Sequence, residues 1–399
     1  MSQHVESLTH LGLGRTDQDL LVPRVLPGEV IDVQSDGSVR IERPSADRVA
    51  APCTHYKSCG GCSMQHASIE FVAAWKRGIV ERALAAHGLV ASIGEARTSP
   101  PESRRRARFS GRRTKKGALV GFHAKASEQI VGVPNCLLVT QSLRDALAVL
   151  QRITILSASR KAEMAFTVTE SETGLDVHIE TGQPLTPPLR ADLARVAQQS
   201  RLARLAWNDE VVVTMDMPSQ RFGTARVVPP PGAFLQATLH GEETLVAAVE
   251  SICAGADRIA DLFSGCGTFT FPLAGKSQVD AFEGSAEMID ALDAGRRKAT
   301  GLKQISATTR DLFRRPLEVD ELTYDAVVID PPRAGAVAQV ERLSASTVPV
   351  IAMVSCNPVT FARDAATLVR AGYEMSEVEV VDQFRWSSHV EMVAGFTRP

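Results

Sequence analysis

A short apolar run, Arg258-Ile259-Ala260-Asp261-Leu262-Phe263, passes directly into Ser264-Gly265-Cys266-Gly267-Thr268 and then into a helical stretch from Phe269 to Ala274. A strand that feeds a helix through a glycine-rich turn has few structural solutions: glycine tolerates backbone angles other residues avoid, and the helix must pack on the face of a mostly parallel sheet. The same texture continues downstream. Val279 to Phe282 ends in Glu283, Ile305 to Thr308 leads to Asp311, and Tyr324 to Ile329 runs into Asp330-Pro331-Pro332-Arg333. Val348 to Val354 ends in Ser355-Cys356-Asn357-Pro358, before a helix from Thr360 to Arg370. Alternating buried strands and helices predict an α/β domain with a Rossmann-like sheet. The turn-forming Pro229-Pro230-Pro231-Gly232 marks its start, so residues 229–399 are read as one domain.

The remaining chain reads differently. At 399 residues it is too long for one ordinary core. Gly12 to Ile41 mixes glycine, proline and short apolar alternations, which predicts a short N-terminal β unit within residues 1–50. Residues 51–228 are expected to form a central α+β region. It opens with a cysteine-rich loop and a helix from about Ser68 to His87, followed by strands at Leu119 to Phe122, Ala165 to Val168, Leu175 to Ile179 and Val211 to Met215 around at least one helix, Leu189 to Gln198. No apolar stretch approaches the roughly 18 to 20 residues of a membrane span, and the first residues lack the pattern of a secretory signal, so a cytoplasmic address and no membrane partner are expected.

The glycine-rich turn and Glu283, 20 residues after Phe263, describe a nucleoside crevice in which a carboxylate accepts the ribose hydroxyls. Position 270 is threonine, so the third glycine of a dinucleotide fingerprint is missing, which favours S-adenosylmethionine over NAD. Asp330 leaves its strand at the carboxyl edge on a stiff Pro-Pro exit, and Asp311 falls where it could meet an adenine. Cys356 stands at a strand terminus near a helix start, where backbone N–H groups and the helix dipole are expected to lower a thiol pKa. The competing reading is a buried cysteine acting as a small hydrophobe. Carbon 5 of uracil is too weak a nucleophile to attack a methyl sulfonium unaided, whereas thiolate addition at carbon 6 activates it. Such chemistry needs a base near the cysteine, and Glu391 in His389-Val390-Glu391-Met392-Val393 is the candidate. An edge-strand carboxylate in solvent is the alternative.

Seven cysteines, three of them at Cys53, Cys59 and Cys62, argue for metal binding or catalysis over a disulfide framework. Spacing alone leaves iron-sulfur and zinc both open.

These segments resemble the S-adenosylmethionine-dependent RNA 5-methyluridine methyltransferases of bacteria, over most of the chain. The resemblance is carried by Pro52-Cys53 through Cys59-Gly60-Gly61-Cys62, by Asp261 to Gly267, by Asp330-Pro331-Pro332-Arg333-Ala334-Gly335 and by Val354-Ser355-Cys356-Asn357-Pro358. It implies a class I methyltransferase domain, with Cys356 as nucleophile and Glu391 as proton acceptor. It also implies cofactor contacts from Gln236, Phe263, Gly265, Thr268, Glu283, Asp311 and Asp330, although Thr268 and Asp311 stand where asparagine is common. Phe234 matches an aromatic beside the target base. The resemblance further implies a [4Fe-4S] cluster on Cys53, Cys59, Cys62 and Cys136, and so the ribosomal type of substrate, a uridine in large-subunit (23S) RNA. The N-terminal unit has the flavour of a reduced TRAM or OB-like barrel. Phe384-Arg385-Trp386-Ser387-Ser388-His389 departs from the family's commoner Phe-Pro-x-Thr-x-His.

The net charge is −2, so an RNA surface must be local. Arg104-Arg105-Arg106, Arg108, Arg112-Arg113 and Lys115-Lys116 put eight cations in thirteen residues, read here as a phosphate-binding surface. The competing functions are an amino-group methyltransferase acting on adenine or cytosine, which needs no cysteine, and a catalytically inactive RNA-binding metal protein. A monomer is the expected state.

Overall fold

A computed structural model describes residues 2–398. The chain begins with a five-stranded antiparallel sheet in which Ser2–Leu8 is central, flanked by Leu13–Thr16 and Val30–Val33, with Leu21–Pro23 and Val39–Arg43 outermost. Val5, Val22, Val25 and Ile31 fill its small core. Glu29, fully buried, ties this sheet down: its carboxylate accepts the Leu26 and Ser45 N–H groups at 2.8 and 3.1 Å and the Arg48 guanidinium at 2.5 and 2.8 Å. These partners hold its pKa below the usual carboxylate range against the effect of burial.

The cysteine loop leads into the helix Ile69–Ala85, capped by the Ser68 hydroxyl, which accepts the Phe71 N–H at 3.2 Å. This helix is apolar on two faces because it is packed on both. Val72, Trp75 and Ile79 meet Leu8, Leu26 and Met64, while Val80 and Leu84 enter the core of the C-terminal domain.

The central region is a seven-stranded sheet in the order Glu210–Thr214, Arg204–Trp207, Gly174–Glu180, Glu163–Ser171, Arg106–Arg113, Ala118–His123, Ile130–Gly132. The pairing of Gly174–Glu180 with Arg204–Trp207 is parallel, through the crossover helix Pro187–Gln199. Helix Gln141–Ser157 packs on the same sheet through Leu143, Leu147, Leu150 and Ile153.

The C-terminal domain is an open, mostly parallel α/β sheet with helices on both faces. Its strands run in the order Ile305–Thr309, Gln278–Glu283, Arg258–Leu262, Ala326–Ile329, Val350–Ser355, Glu391–Thr397, Glu379–Asp382, and the short Arg97–Thr98 extends the edge. The first five are parallel; Glu391–Thr397 is antiparallel to both neighbours. Helices Val337–Ala345 and Pro358–Arg370 join Ile69–Ala85 on one face, and Leu239–Ile252 and Ala286–Arg296 cover the other. The order reverses at Arg258–Leu262 beside Ala326–Ile329, where an open α/β sheet forms a ligand crevice at its carboxyl edge. No helix among the described residues is long and apolar enough to cross a membrane.

Candidate active site

At that carboxyl edge Phe263, Gly265 and Gly267 all have left-handed φ, of 62°, 57° and 102°. A Cβ on Gly267 would stand 2.5 Å from the Phe271 ring, so only glycine fits. The Glu283 carboxylate accepts the Gly265 N–H at 3.1 Å and the Ser285 N–H at 2.9 Å, which orients it beside the turn. Thr270 uses its hydroxyl to donate to buried Asp261 at 2.5 Å, while the other Asp261 oxygen has no partner among the described residues. The residue that breaks the dinucleotide fingerprint therefore serves a buried carboxyl. Phe263 faces Phe313 with ring centroids 5.4 Å apart, and Phe313 is half exposed. Asp311 spends an oxygen on the Phe313 and Arg314 N–H groups at 3.0 and 3.3 Å. Thr268 lines a separate cavity of about 970 Å³ with Glu242 and His240, which Cys356 does not reach.

Burial pushes Asp261 and Asp330 up to about 7; for Asp261 the charges of Asp330 and Glu283 add to it, and the Thr270 bond opposes it. The crevice is thus crowded with carboxyls that resist ionising together and would welcome a cation.

Pairing of Ser355 with Met392 in antiparallel register carries the next residues, Cys356 and Glu391, opposite one another. Both line a cavity of about 670 Å³ with Arg333, Phe234, Gln383 and His389. A second cavity, of about 400 Å³, touches Cys356 from another side and reaches Leu11 on the N-terminal sheet. Glu391 is 3% exposed, which removes the solvent-edge reading. Burial, then the charge of Asp330, push its pKa up to about 8, against the Gln383 amide and Arg333.

The expected lowering of the Cys356 pKa is corrected by the structure. Burial, then Glu391 and Asp330, push this half-buried thiol up to about 12. The helix end gives little help because its donors are absent or engaged: Pro358 has no N–H, the Val359 N–H goes to the Asn357 side chain at 3.2 Å, and the Asn357 N–H goes to the Ser355 hydroxyl at 3.2 Å.

Gln236 is buried and distant in sequence from both clusters, yet its carbonyl accepts from the Gln383 amide at 2.6 Å. Gln383 was not singled out by sequence reasoning; a glutamine between a strand end and an aromatic gives little signal. The departing segment after it is held by tertiary contacts. The Trp386 carbonyl accepts the Ser63 and Met64 N–H groups at 2.8 and 3.0 Å, Arg385 donates to the Ser99 carbonyl at 3.0 Å, and Trp386 enters the central core.

The four cysteines expected to act together, Cys53, Cys59, Cys62 and Cys136, line one small cavity of about 20 Å³ walled by Phe122, Val133, Leu137 and Leu138. The Gly61 N–H donates to the Cys59 sulfur at 3.3 Å, and a Cβ on Gly60 would meet the His123 carbonyl at 2.8 Å, so the loop lies tight on the central sheet. Burial and then the neighbouring charges of Cys136, Cys59 and Cys53 push Cys62 up to about 12. Among the described residues no three His, Cys, Asp or Glu side chains draw close enough to hold a metal ion.

Part of the cation cluster is spent inside the protein and part stays open to solvent. Arg105 pairs with buried Glu242 at 2.5 Å, Arg108 with Glu180 at 2.7 Å and Arg112 with Glu163 at 2.9 Å. Arg106 donates to the Gly232 and Ala233 carbonyls, both at 3.0 Å, and lies 5.9 Å from the exposed Phe234 ring. Arg104 donates to the Arg106 carbonyl, lies over the Phe384 ring and faces the Cys356 cavity. A run of charges in sequence says nothing about carboxylates that other strands bring beside it. Arg108 stays exposed despite its pair, and so do Arg113, Lys115 and Lys116 at the hairpin tip.

Residues 232–397 match the family model described as tRNA (uracil-5-)-methyltransferase. An RNA methyltransferase of Mesorhizobium japonicum is 40% identical, covering 97% of this chain and 95% of its own length. The 23S rRNA (uracil(1939)-C(5))-methyltransferase RlmD of a Shewanella species is 30% identical over 98% of this chain and 94% of its own. The crystal structure of Pyrococcus abyssi tRNA (uracil-54, C5)-methyltransferase with S-adenosyl-L-homocysteine shares the fold, with a TM-score of 0.77 at 23% identity over 100% of this chain and 99% of that one.

Proposed function

The chain belongs to the RNA uracil-5-methyltransferase family, and from that premise we propose that it methylates carbon 5 of a uridine in large-subunit ribosomal RNA through a covalent adduct on Cys356. The observation that carries this reading is the register that sets Cys356 and Glu391 face to face in one cavity. The Shewanella relative's ribosomal substrate supports the choice of RNA.

S-adenosylmethionine supplies an electrophilic methyl group when bound. Glu283 would hold the ribose hydroxyls, Phe263 and Phe313 the adenine, and Gln236, Asp330 and the Gly265 turn the methionyl end; Asp311 and Thr268 would contribute least, since Asp311 already caps a turn and Thr268 faces another cavity. Cys356 gives its proton to solvent and adds as the thiolate to carbon 6 of the uracil, so that electron density moves to carbon 5, which takes the methyl group as the donor's sulfur–methyl bond breaks. Glu391 then removes the carbon 5 proton, the carbon 5–carbon 6 double bond re-forms, and the thiolate leaves. A carboxyl whose pKa lies near 8 suits that last step, because it is basic enough to take the proton and acidic enough to release it. Arg333 opposes the carboxylate charges around Cys356 and favours its thiolate.

Four thiols lining one cavity, with an amide donating to one sulfur, are the donor set a cluster uses, although no three of them stand close enough here to hold a metal ion. In this reading Cys53, Cys59, Cys62 and Cys136 hold [4Fe-4S], a structural group outside the methyl-transfer steps. Iron and sulfide content of anaerobically purified protein tests it, and stoichiometric zinc would replace it.

The function is tested by incubating the protein with 5-fluorouridine-substituted large-subunit RNA fragments and S-adenosylmethionine. Fluorine cannot leave as a proton, so a methylated adduct on Cys356 should persist through denaturing electrophoresis. Methylation of ordinary RNA at another atom, with no adduct, would overturn the proposal, and adduct formation only with transfer RNA would overturn the ribosomal assignment.

A further inference from the structure

Gln383 occupies a position that neither the motifs nor the reaction above assigns. It is 2% exposed and held at both ends: its side-chain carbonyl accepts the Ala237 N–H at 2.7 Å, and one N–H of its amide donates to the Gln236 carbonyl oxygen at 2.6 Å. Val381 pairs with Glu391 in the antiparallel sheet, so the residue two beyond Val381 projects on the side that Glu391 uses. The Gln383 amide faces the Glu391 carboxyl and favours its ionised form, and both groups line the cavity that holds Cys356.

We infer that Gln383 is a positioning residue that joins the methyl-donor site to the proton acceptor, holding the Gln236 carbonyl with one N–H and the Glu391 carboxylate with the other. Its carbonyl is committed to Ala237, which fixes the amide's orientation, so Gln383 can only donate toward Glu391. Gln236, with its carbonyl taken, is left to offer its own N–H groups to the crevice. Loss of Gln383 removes the donor that steadies the base and frees Gln236 to flip.

The inference rests on the covalent reading of Cys356 and is tested separately from it. Gln383→Met keeps the length and removes both donors; Gln383→Glu keeps the shape and puts a carboxylate beside Glu391. Besides Gln383, the groups acting on Glu391 are Asp330, Arg333 and Cys356, with Arg104, Lys125, Arg385 and His389 lining the same cavity, all unchanged in either variant. Without the amide, Glu391 holds its proton to higher pH. The acid limb of turnover should therefore move upward by at least half a pH unit in Gln383→Met and further in Gln383→Glu. Adduct with ordinary, fluorine-free RNA should accumulate at least threefold at pH 7, because elimination slows after methyl transfer. S-adenosylhomocysteine affinity should fall as well, through Gln236. Folded variants, checked by circular dichroism and melting, that keep the native pH profile and show no adduct accumulation would overturn the inference; a merely structural role would lower the rate without moving the pH limb. Failure of the native protein to form any 5-fluorouridine adduct would instead remove the covalent reading itself.

Discussion

Lys76 and Asp382 form an ion pair at 2.5 Å with both side chains wholly buried, 306 residues apart in the chain. Lys76 also donates to the Phe384 carbonyl at 3.2 Å, and the same Asp382 oxygen accepts the Phe384 N–H at 3.1 Å. Burial lowers the lysine pKa and the Asp382 charge raises it, so the ammonium depends on its partner. Breaking such a pair from one side costs ~3–5 kcal/mol, because an uncompensated charge stays buried, whereas replacing both with apolar groups is often near neutral. Lys76→Met is therefore expected to destabilise by ~3–5 kcal/mol. Lys76→Met with Asp382→Leu should recover most of that, short of ~1–2 kcal/mol for the Phe384 N–H left without its acceptor. Urea unfolding followed by tryptophan fluorescence measures both, read as midpoints because a chain with several cores need not unfold in one step. Hydrogen exchange at residues 382–389 should rise in the single variant before global unfolding. A Lys76→Met protein within ~1 kcal/mol of the native one, or a double variant no more stable than the single, would refute the reasoning.

Between about pH 5 and 8 the folded protein retains protons on Asp261, Asp330 and Glu391 that the unfolded chain has released, so their contribution to stability falls as pH rises; melting of Glu391→Gln against native protein should show a shallower fall. The same ionisation should favour cationic S-adenosylmethionine over neutral S-adenosylhomocysteine, raising their affinity ratio roughly tenfold from pH 6 to 8.5 by calorimetry, and a flat ratio would show that these carboxyls do not face the sulfonium. Glu391→Gln should trap a methylated Cys356 adduct with ordinary uridine RNA, visible as a gel shift that Cys356→Ser abolishes. Lys115→Ala with Lys116→Ala should reduce the slope of log affinity against log salt by ~1–2, and an unchanged slope would take the hairpin tip off the RNA path.

The α/β domain was legible because its strands are nearly continuous apolar runs ending in short, distinctive turns; Val348 to Val354 and the observed Val350–Ser355 differ only at the ends. Ser2–Leu8 escaped notice because its inward residues include Gln3 beside Val5 and Leu8, so a polar residue interrupts the alternation. Helix Leu239–Ile252 follows too closely on a proline-rich turn to stand out, although Thr238 caps it by accepting the Gly241 N–H at 2.9 Å. The residue types at the site were readable, and their environments were not. The missing N–H of Pro358 was legible, but nothing local to Cys356 indicates that the Ser355 hydroxyl and the Asn357 side chain engage the neighbouring N–H groups, nor that Asp330 arrives from another strand. Nor could the arginine run reveal Glu163, Glu180 and Glu242, which come from two other strands and a helix.

The departure from Phe-Pro-x-Thr-x-His acquires a physical meaning once those contacts are known. A proline stiffens a loop locally by fixing φ. Here Arg385 stands in that place and Trp386 takes a left-handed φ of 60°, a conformation that costs an L residue energy and persists only when its surroundings enforce it. The enforcement comes from four directions: Lys76 on Asp382, the Ala237 N–H and Gln236 on Gln383, Ser99 on Arg385, and the Ser63 and Met64 amides on Trp386. Tertiary anchoring replaces local rigidity. The consequence reaches the chemistry, because the loop ends two residues before Glu391, and a buried carboxyl can act as a base at carbon 5 only if its distance to Cys356 is held. The amides of Ser63 and Met64 directly follow Cys62, so the loop that leads into Glu391 is fastened to the segment carrying the cysteine cavity.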